Sequence, residues 1–142
     1  MPVAAVLGWP LTHTLSPALH QAAYRAAGLE GWTYLARPTR PEELAAALAE
    51  VRGGALAGVN LTTPHKQAAV ALVDELERPA DLLLAVNTVV ARDGRLVGAN
   101  TDVAGVLWAL GSQLRLGDAR WEGTGPAVLL GTGGVATAVA FA

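Results

Sequence analysis

The sequence predicts an α/β fold, a mostly parallel sheet with helices on both faces. Three features predict it. Short apolar runs alternate with helical patterns along the chain. Gly and Pro punctuate the joins between them. Hydrophobic residues fill 52% of the 142 positions and charged residues only 15%, which supplies a real core and argues against disorder.

The elements follow in order. Val3 to Gly8 is a short apolar run that reads as a buried strand. Ser16-Pro17 reads as an N-cap followed by Pro at the first helical position, and the helix from Ala18 to Ala27 closes at Gly28. Trp32 to Ala36 is a second strand. Pro41-Glu42-Glu43 opens a helix to about Val51, with acids at its positive end, and Gly53-Gly54 breaks it. Ala55 to Leu61 is a third strand, and Thr63-Pro64 starts another helix. Asp74 to Leu84 reads as mostly helical, with Pro79 interrupting it or beginning a new helix. Val86, Val89 and Val90 favour a strand, Asp93-Gly94 a tight hairpin turn, and Leu96 to Ala99 a returning strand. The hairpin adds one antiparallel member to the sheet. Asp102 to Leu110 is a helix, followed by a loose Gly-containing stretch. Ala127 to Leu130 is a new strand that runs into a Gly-rich turn and an Ala-rich segment ending at Ala142.

Composition narrows the function. The net charge is −2 with no basic block, which argues against a nucleic-acid partner. The absence of Cys removes disulfides, thiolate catalysis and Cys-based metal sites. His13, His20 and His65 match no zinc spacing, so no metal is expected. The N-terminus lacks signal-peptide features, and no apolar run approaches the roughly 18 residues of a membrane span. The expectation is a soluble cytoplasmic protein, monomer or homodimer, acting on a small molecule.

The chain has one lysine and three asparagines, and all four fall in short polar segments. Asn60 and Lys66 lie in Asn60-Leu61-Thr62-Thr63-Pro64-His65-Lys66, Asn87 in Ala85-Val86-Asn87-Thr88-Val89, and Asn100 in Asn100-Thr101-Asp102. With Thr12 to Ser16 they make four polar segments placed at strand ends, where open α/β sheets bind ligands. Hydroxyls, amides, one ammonium and one carboxylate suit a small polyhydroxylated, anionic molecule. Ser16 at a helix N-terminus would add backbone donors for a carboxylate. A Lys and an Asp in one crevice suggest proton transfer to or from an alcohol as hydride leaves the same carbon. Each segment also has a structural reading: Thr63-Pro64 as a helix start, Asn100 and Asp102 as caps, and the four Trp as packing residues.

Gly131-Thr132-Gly133-Gly134-Val135-Ala136 is Gly-x-Gly-x-x-Ala, directly after an expected strand and opening a helix. That is the context of a dinucleotide-binding turn, in which a pyrophosphate sits on the helix N-terminus. A plain strand–turn–helix remains the competing reading.

Taken in order, these motifs resemble those of the shikimate dehydrogenase family. They are His13-Thr14-Leu15-Ser16-Pro17, the Asn60 to Lys66 segment, Ala85 to Val89, Asn100-Thr101-Asp102 with Gly105, and Gly131 to Gly134. The resemblance implies a substrate-binding domain over residues 1–101, then a linker helix and the opening strand–turn–helix of a Rossmann domain over residues 102–142. It implies reversible NADP-dependent reduction of 3-dehydroshikimate to shikimate in aromatic amino-acid synthesis. Lys66 would be the catalytic acid/base and Asp102 its partner. Asn87 and Asp102 would bind substrate hydroxyls, Thr14 and Ser16 the carboxylate, and Asn60 and Thr62 would line the pocket. Gly131, Thr132, Gly133, Gly134 and Val135 would hold the cofactor pyrophosphate.

Two departures from the family pattern stand out. Thr14 occupies a position that is usually Ser, which leaves shikimate and quinate open as substrates. Most of the Rossmann domain is not in the sequence, so the chain reads as truncated. A fragment that binds shikimate or quinate without catalysis is the alternative reading.

Overall fold

The computed structural model describes residues 1–113, 128–131 and 133–141. Six strands form one sheet: β1 (Val3–Gly8), β2 (Thr33–Pro38), β3 (Gly58–Leu61), β4 (Glu75–Leu76), β5 (Thr88–Arg92) and β6 (Arg95–Ala99). Their order is β2-β1-β3-β5-β6-β4. β1 runs parallel to β2 and β3, and β4 runs parallel to β6. β5 is antiparallel to both of its neighbours. The reversed strand is the expected hairpin member. Its turn has φ of 51° at Asp93 and 75° at Gly94, the left-handed pair that a two-residue hairpin needs.

The helices are α1 (Ser16–Ala26), α2 (Leu44–Arg52), α3 (His65–Ala68), α4 (Ala80–Leu83), α5 (Asp102–Gln113) and α6 (Gly134–Phe141). Side chains alternate across the sheet, and this alternation sorts the core into two faces. Ala5, Leu7, Val59, Leu61, Val89 and Leu96 pack with Leu44, Ala47, Leu48 and Val51 of α2. Those four α2 residues fall at i, i+3, i+4 and i+7, a single apolar stripe. Each large side chain buried there is worth about 1.5–3 kcal/mol. The opposite face places Ala4, Val6 and Tyr34 against Tyr24 of α1. Leu83, Ala85, Val103 and Ala138 form a further cluster that ties α4, α5 and α6 together.

Three local expectations change. Asp74 to Leu84 is not one helix: Glu75–Leu76 is a short edge strand, and α4 begins only after Pro79. The sheet edge decides this. Asp74 N–H donates to Leu96 O at 2.9 Å and Glu77 N–H to Gly98 O at 2.9 Å, so ladder pairing overrides helix propensity. Ser16 is the first residue of α1 rather than its cap. Leu15 takes the cap position without a side-chain cap, and the Thr14 hydroxyl just before it accepts from Ser16 N–H at 3.2 Å. Of the strand expected at Ala127 to Leu130, residues 128–130 are described and have no strand pairing, with Val128 and Leu130 exposed. A strand needs a ladder partner, and none of the described residues supplies one there.

Candidate active site

The polar segments gather along one edge of the sheet. The turn after β1 and the segments after β3 and β6 all leave carboxyl ends of parallel strands. Asn87-Thr88 was expected at such an end too, but it lies at the start of β5. Because β5 is reversed, its amino end meets the carboxyl ends of its neighbours. The expected convergence therefore holds by a different route.

Lys66 Nζ lies 2.7 Å from Asp102 Oδ2, with 17% and 20% of the two side chains exposed. The pair is shielded enough to be specific and open enough to meet a ligand. Asn87 Nδ2 donates to Asp102 Oδ1 at 2.9 Å and to Thr101 Oγ1 at 3.0 Å. Asn87 Oδ1 accepts from Thr101 N–H at 3.0 Å and from the Thr88 hydroxyl at 2.9 Å. Both oxygens of Asp102 are thus aimed by donors, and the Asn87 amide has no freedom to flip.

The backbone holds these side chains together. Val86 N–H donates to Lys66 O at 2.8 Å, Asn87 N–H to Ala99 O at 2.9 Å, and Leu61 N–H to Asn87 O at 2.8 Å. Asn100 is buried and caps α5: its Oδ1 accepts from Asp102 N–H at 2.9 Å while its Nδ2 donates to Ala85 O at 2.9 Å. Asp102 then opens the helix, where a carboxylate is stabilised by the positive end of the dipole.

Asn60 joins this cluster by donating to Thr88 Oγ1 at 3.0 Å and to Asn87 O at 3.3 Å. Its Oδ1 accepts from the Tyr34 hydroxyl at 2.7 Å. Burial, then the neighbouring Tyr24, pushes the Tyr34 phenol up to about 12, so Tyr34 is a neutral donor at ordinary pH. His20 stacks on the Tyr34 ring with centroids 3.9 Å apart, and its Nδ1 lies 2.9 Å from Ser16 O. Thr14 and Ser16 therefore sit at the far end of the same assembly. Among the described residues, nothing hydrogen-bonds the Ser16 hydroxyl, which leaves it for a ligand. Thr62 is half-buried beside Gly8 and is not hydrogen-bonded to the Lys66–Asp102 pair.

Sequence reasoning missed Tyr34, His20 and Thr88. Thr88 was visible inside its motif. Tyr34 and His20 gave no signal, because only the β1–β2 pairing and the α1 docking bring them to Asn60. His65 is a buried core residue whose Nε2 meets Thr39 O at 2.8 Å, in line with its structural reading. Trp108 is 67% exposed, unlike the expected packing residue, and Trp121 lies outside the described residues. A cavity of about 450 Å³ opens on the α1 side of the sheet, lined in part by His20, Tyr34, Asn60, Thr88 and Thr101. Lys66 and Asp102 do not line it, but Thr88 and Thr101, which do, both hydrogen-bond Asn87 beside that pair.

The glycine turn leads into α6, which packs through Ala138 on Leu83 of α4 and Val103 of α5. Gly131 has φ +126°, a conformation that side chains rarely adopt. Among the described residues, a Cβ on Gly133 would meet nothing within 4 Å, which leaves the backbone before α6 open to them. α6 begins at Gly134, with Val135 58% exposed in its first turn. These residues fit a pyrophosphate at a helix N-terminus. Thr132 lies outside the described residues.

The family described as the shikimate dehydrogenase substrate binding domain matches residues 6–89, more than half of the chain. The chain belongs to this shikimate dehydrogenase family. Thr14, Ser16, Asn60, Thr62, Lys66 and Asn87 fall inside the matched span, while Asp102 and the glycine turn follow it. A shikimate dehydrogenase (NADP(+)) from Thermus thermophilus is 48% identical over 141 residues, covering 97% of this chain and 49% of that protein. The crystal structure of a Thermus thermophilus shikimate 5-dehydrogenase in complex with shikimate aligns with a TM-score of 0.87 at 46% identity. It covers 99% of this chain and 51% of that one. A shikimate dehydrogenase crystallised with NADP+ aligns with a TM-score of 0.84 at 33% identity, covering 99% of this chain and 47% of that one. The chain spans about half the length of the curated shikimate dehydrogenases it matches.

Proposed function

We propose that the protein works as an NADP-dependent shikimate dehydrogenase, reversibly reducing 3-dehydroshikimate to shikimate. In this reading residues 1–101 form the substrate domain, and residues 102–142 form the linker helix and the opening of the cofactor domain. The observation that carries it is the Lys66–Asp102 pair at 2.7 Å, braced by Asn87 and accessible from solvent. The shikimate and NADP+ complexes of similar proteins support the choice of substrate and cofactor.

The chain's own residues then have distinct tasks. Ser16 and Thr14 hold the carboxylate at the N-terminus of α1, while Asn60 and Thr62 line the pocket. Asn87 and Asp102 bind ring hydroxyls. The Lys66 ammonium faces the substrate carbonyl oxygen and donates a proton as that oxygen becomes a hydroxyl; in the reverse direction it takes the proton back. Asp102 keeps the ammonium aimed throughout. NADPH, held at Gly131 to Val135, supplies the hydride that reduces the carbonyl carbon.

Thermal unfolding of the chain with rising shikimate, with quinate in parallel and Lys66→Ala as control, tests binding. Ligand at a hundred times its Kd stabilises by about 2.7 kcal/mol. A larger shift with shikimate than with quinate supports the reading, and no shift with either overturns it. NADPH oxidation in the presence of 3-dehydroshikimate tests catalysis. Binding without turnover would leave a shikimate-binding module.

A further inference from the structure

The hydrogen bonds from Tyr34 to Asp102 have one consistent direction. The Tyr34 hydroxyl donates to Asn60 Oδ1 at 2.7 Å. Asn60 Nδ2 donates to Thr88 Oγ1 at 3.0 Å. The Thr88 hydroxyl spends its single proton on Asn87 Oδ1 at 2.9 Å. Asn87 Nδ2 donates to Asp102 Oδ1 at 2.9 Å, and Asp102 Oδ2 receives Lys66 at 2.7 Å.

This direction follows from donor chemistry. A carboxylate only accepts, so Asn87 must turn its NH2 toward Asp102 and its oxygen toward Thr88. Thr88 has one proton, already committed to Asn87, and can only accept from Asn60. Asn60 must then present its NH2 to Thr88 and its oxygen to the other side. There the Tyr34 phenol supplies the donor, and burial keeps that phenol protonated. His20 holds the ring in place by stacking within 9° of parallel.

We infer that Tyr34 is a positioning residue for the proposed dehydrogenase: by donating to Asn60 it holds that carboxamide against Thr88, whose hydroxyl braces the Asn87 amide already oriented by Asp102 and Thr101 N–H, and so stiffens the mounting of the Lys66–Asp102 pair. The inference rests on the proposed activity for its catalytic meaning. Its structural content, how firmly the Asn87 amide is held, can be read with no ligand present. Tyr34 stands at the head of the relay and does not touch the Lys66–Asp102 pair.

The test uses Tyr34→Phe, which keeps the ring and its stack on His20 and removes only the O–H. Thr88→Val, nearly isosteric, breaks the relay one link further on. In the ligand-free chain, side-chain amide exchange at Asn87 is followed by NMR. We expect Tyr34→Phe and Thr88→Val each to speed it at least threefold. The double variant should match Thr88→Val alone, because both act on one path. With shikimate, each variant should weaken binding about three- to tenfold, the size of one lost hydrogen bond. A Tyr34→Phe protein that melts earlier while Asn87 exchange and shikimate affinity stay at wild-type values would overturn the inference. So would strictly additive effects of the two variants. If the wild-type chain fails to bind shikimate, the proposed function falls, and Asn87 exchange alone then decides the role of Tyr34.

Discussion

Lys66 Nζ and Asp102 Oδ2 meet at 2.7 Å although 36 positions separate them in the chain. The approach depends on β5 lying reversed between β3 and β6, which brings the segments after β3 and β6 to one edge. Asn87, at the start of β5, fills the space between and donates to the same carboxylate.

Replacing that carboxylate should disable chemistry more than binding. Asp102→Asn keeps the shape but turns an acceptor toward Lys66 into an amide. In an enzyme that includes the cofactor domain, we expect kcat to fall about a hundredfold or more, the range of a lost acid–base group, with a smaller change in KM. Lys66→Ala should do the same. Steady-state kinetics in both directions checks it, and unchanged kcat would remove the pair from the mechanism.

Asn100 should matter for stability. It is 5% exposed and satisfies both the first turn of α5 and the buried carbonyl of Ala85. Asn100→Ala strands both groups, so a loss of about 1–3 kcal/mol is expected in urea unfolding.

Gly8 controls the place of Thr62. A Cβ at Gly8 would run into the Thr62 methyl group, with Thr63 O at 3.2 Å behind it. Gly8→Ala should cost about 1–3 kcal/mol and weaken shikimate binding. Adding Thr62→Ser removes the methyl and keeps the hydroxyl, so the double variant should recover affinity. Calorimetric titration of both proteins decides this.

The edge strand β4 should make the fold acid-sensitive. The Arg52 side chain, then the Leu96 backbone N–H, hold the Asp74 carboxyl below its ordinary value of 3.8, and Arg37 does the same for Glu50. The unfolded chain takes up these protons first. The stabilisation is therefore complete above about pH 4–5 and is lost as the pH falls through the lower folded-state values. Asp74→Asn should flatten the acid limb of a stability–pH curve while leaving Lys66 chemistry untouched. An unaltered acid limb would assign the sensitivity elsewhere.

What the sequence determined by itself was local and chemical. The run Val3 to Gly8 became β1, the Asp93-Gly94 pair became a left-handed hairpin turn, and the Gly53-Gly54 pair ended α2. Lys66, Asn87 and Asp102 stood out because a chain poor in Lys and Asn placed these types in polar segments, and the structure joins the three by hydrogen bonds. Tertiary structure decided the rest. Strand pairing made an edge strand of Glu75–Leu76, because a ladder partner at β6 outweighs weak helix propensity. The reversal of β5 put Asn87 at the ligand edge from the amino end of its strand. The docking of α1 on β2 brought His20 and Tyr34 to Asn60, a link that no spacing in the sequence encodes. Short-range rules follow from backbone sterics and side-chain chemistry, whereas contacts between distant segments exist only once the shared core has excluded the alternatives.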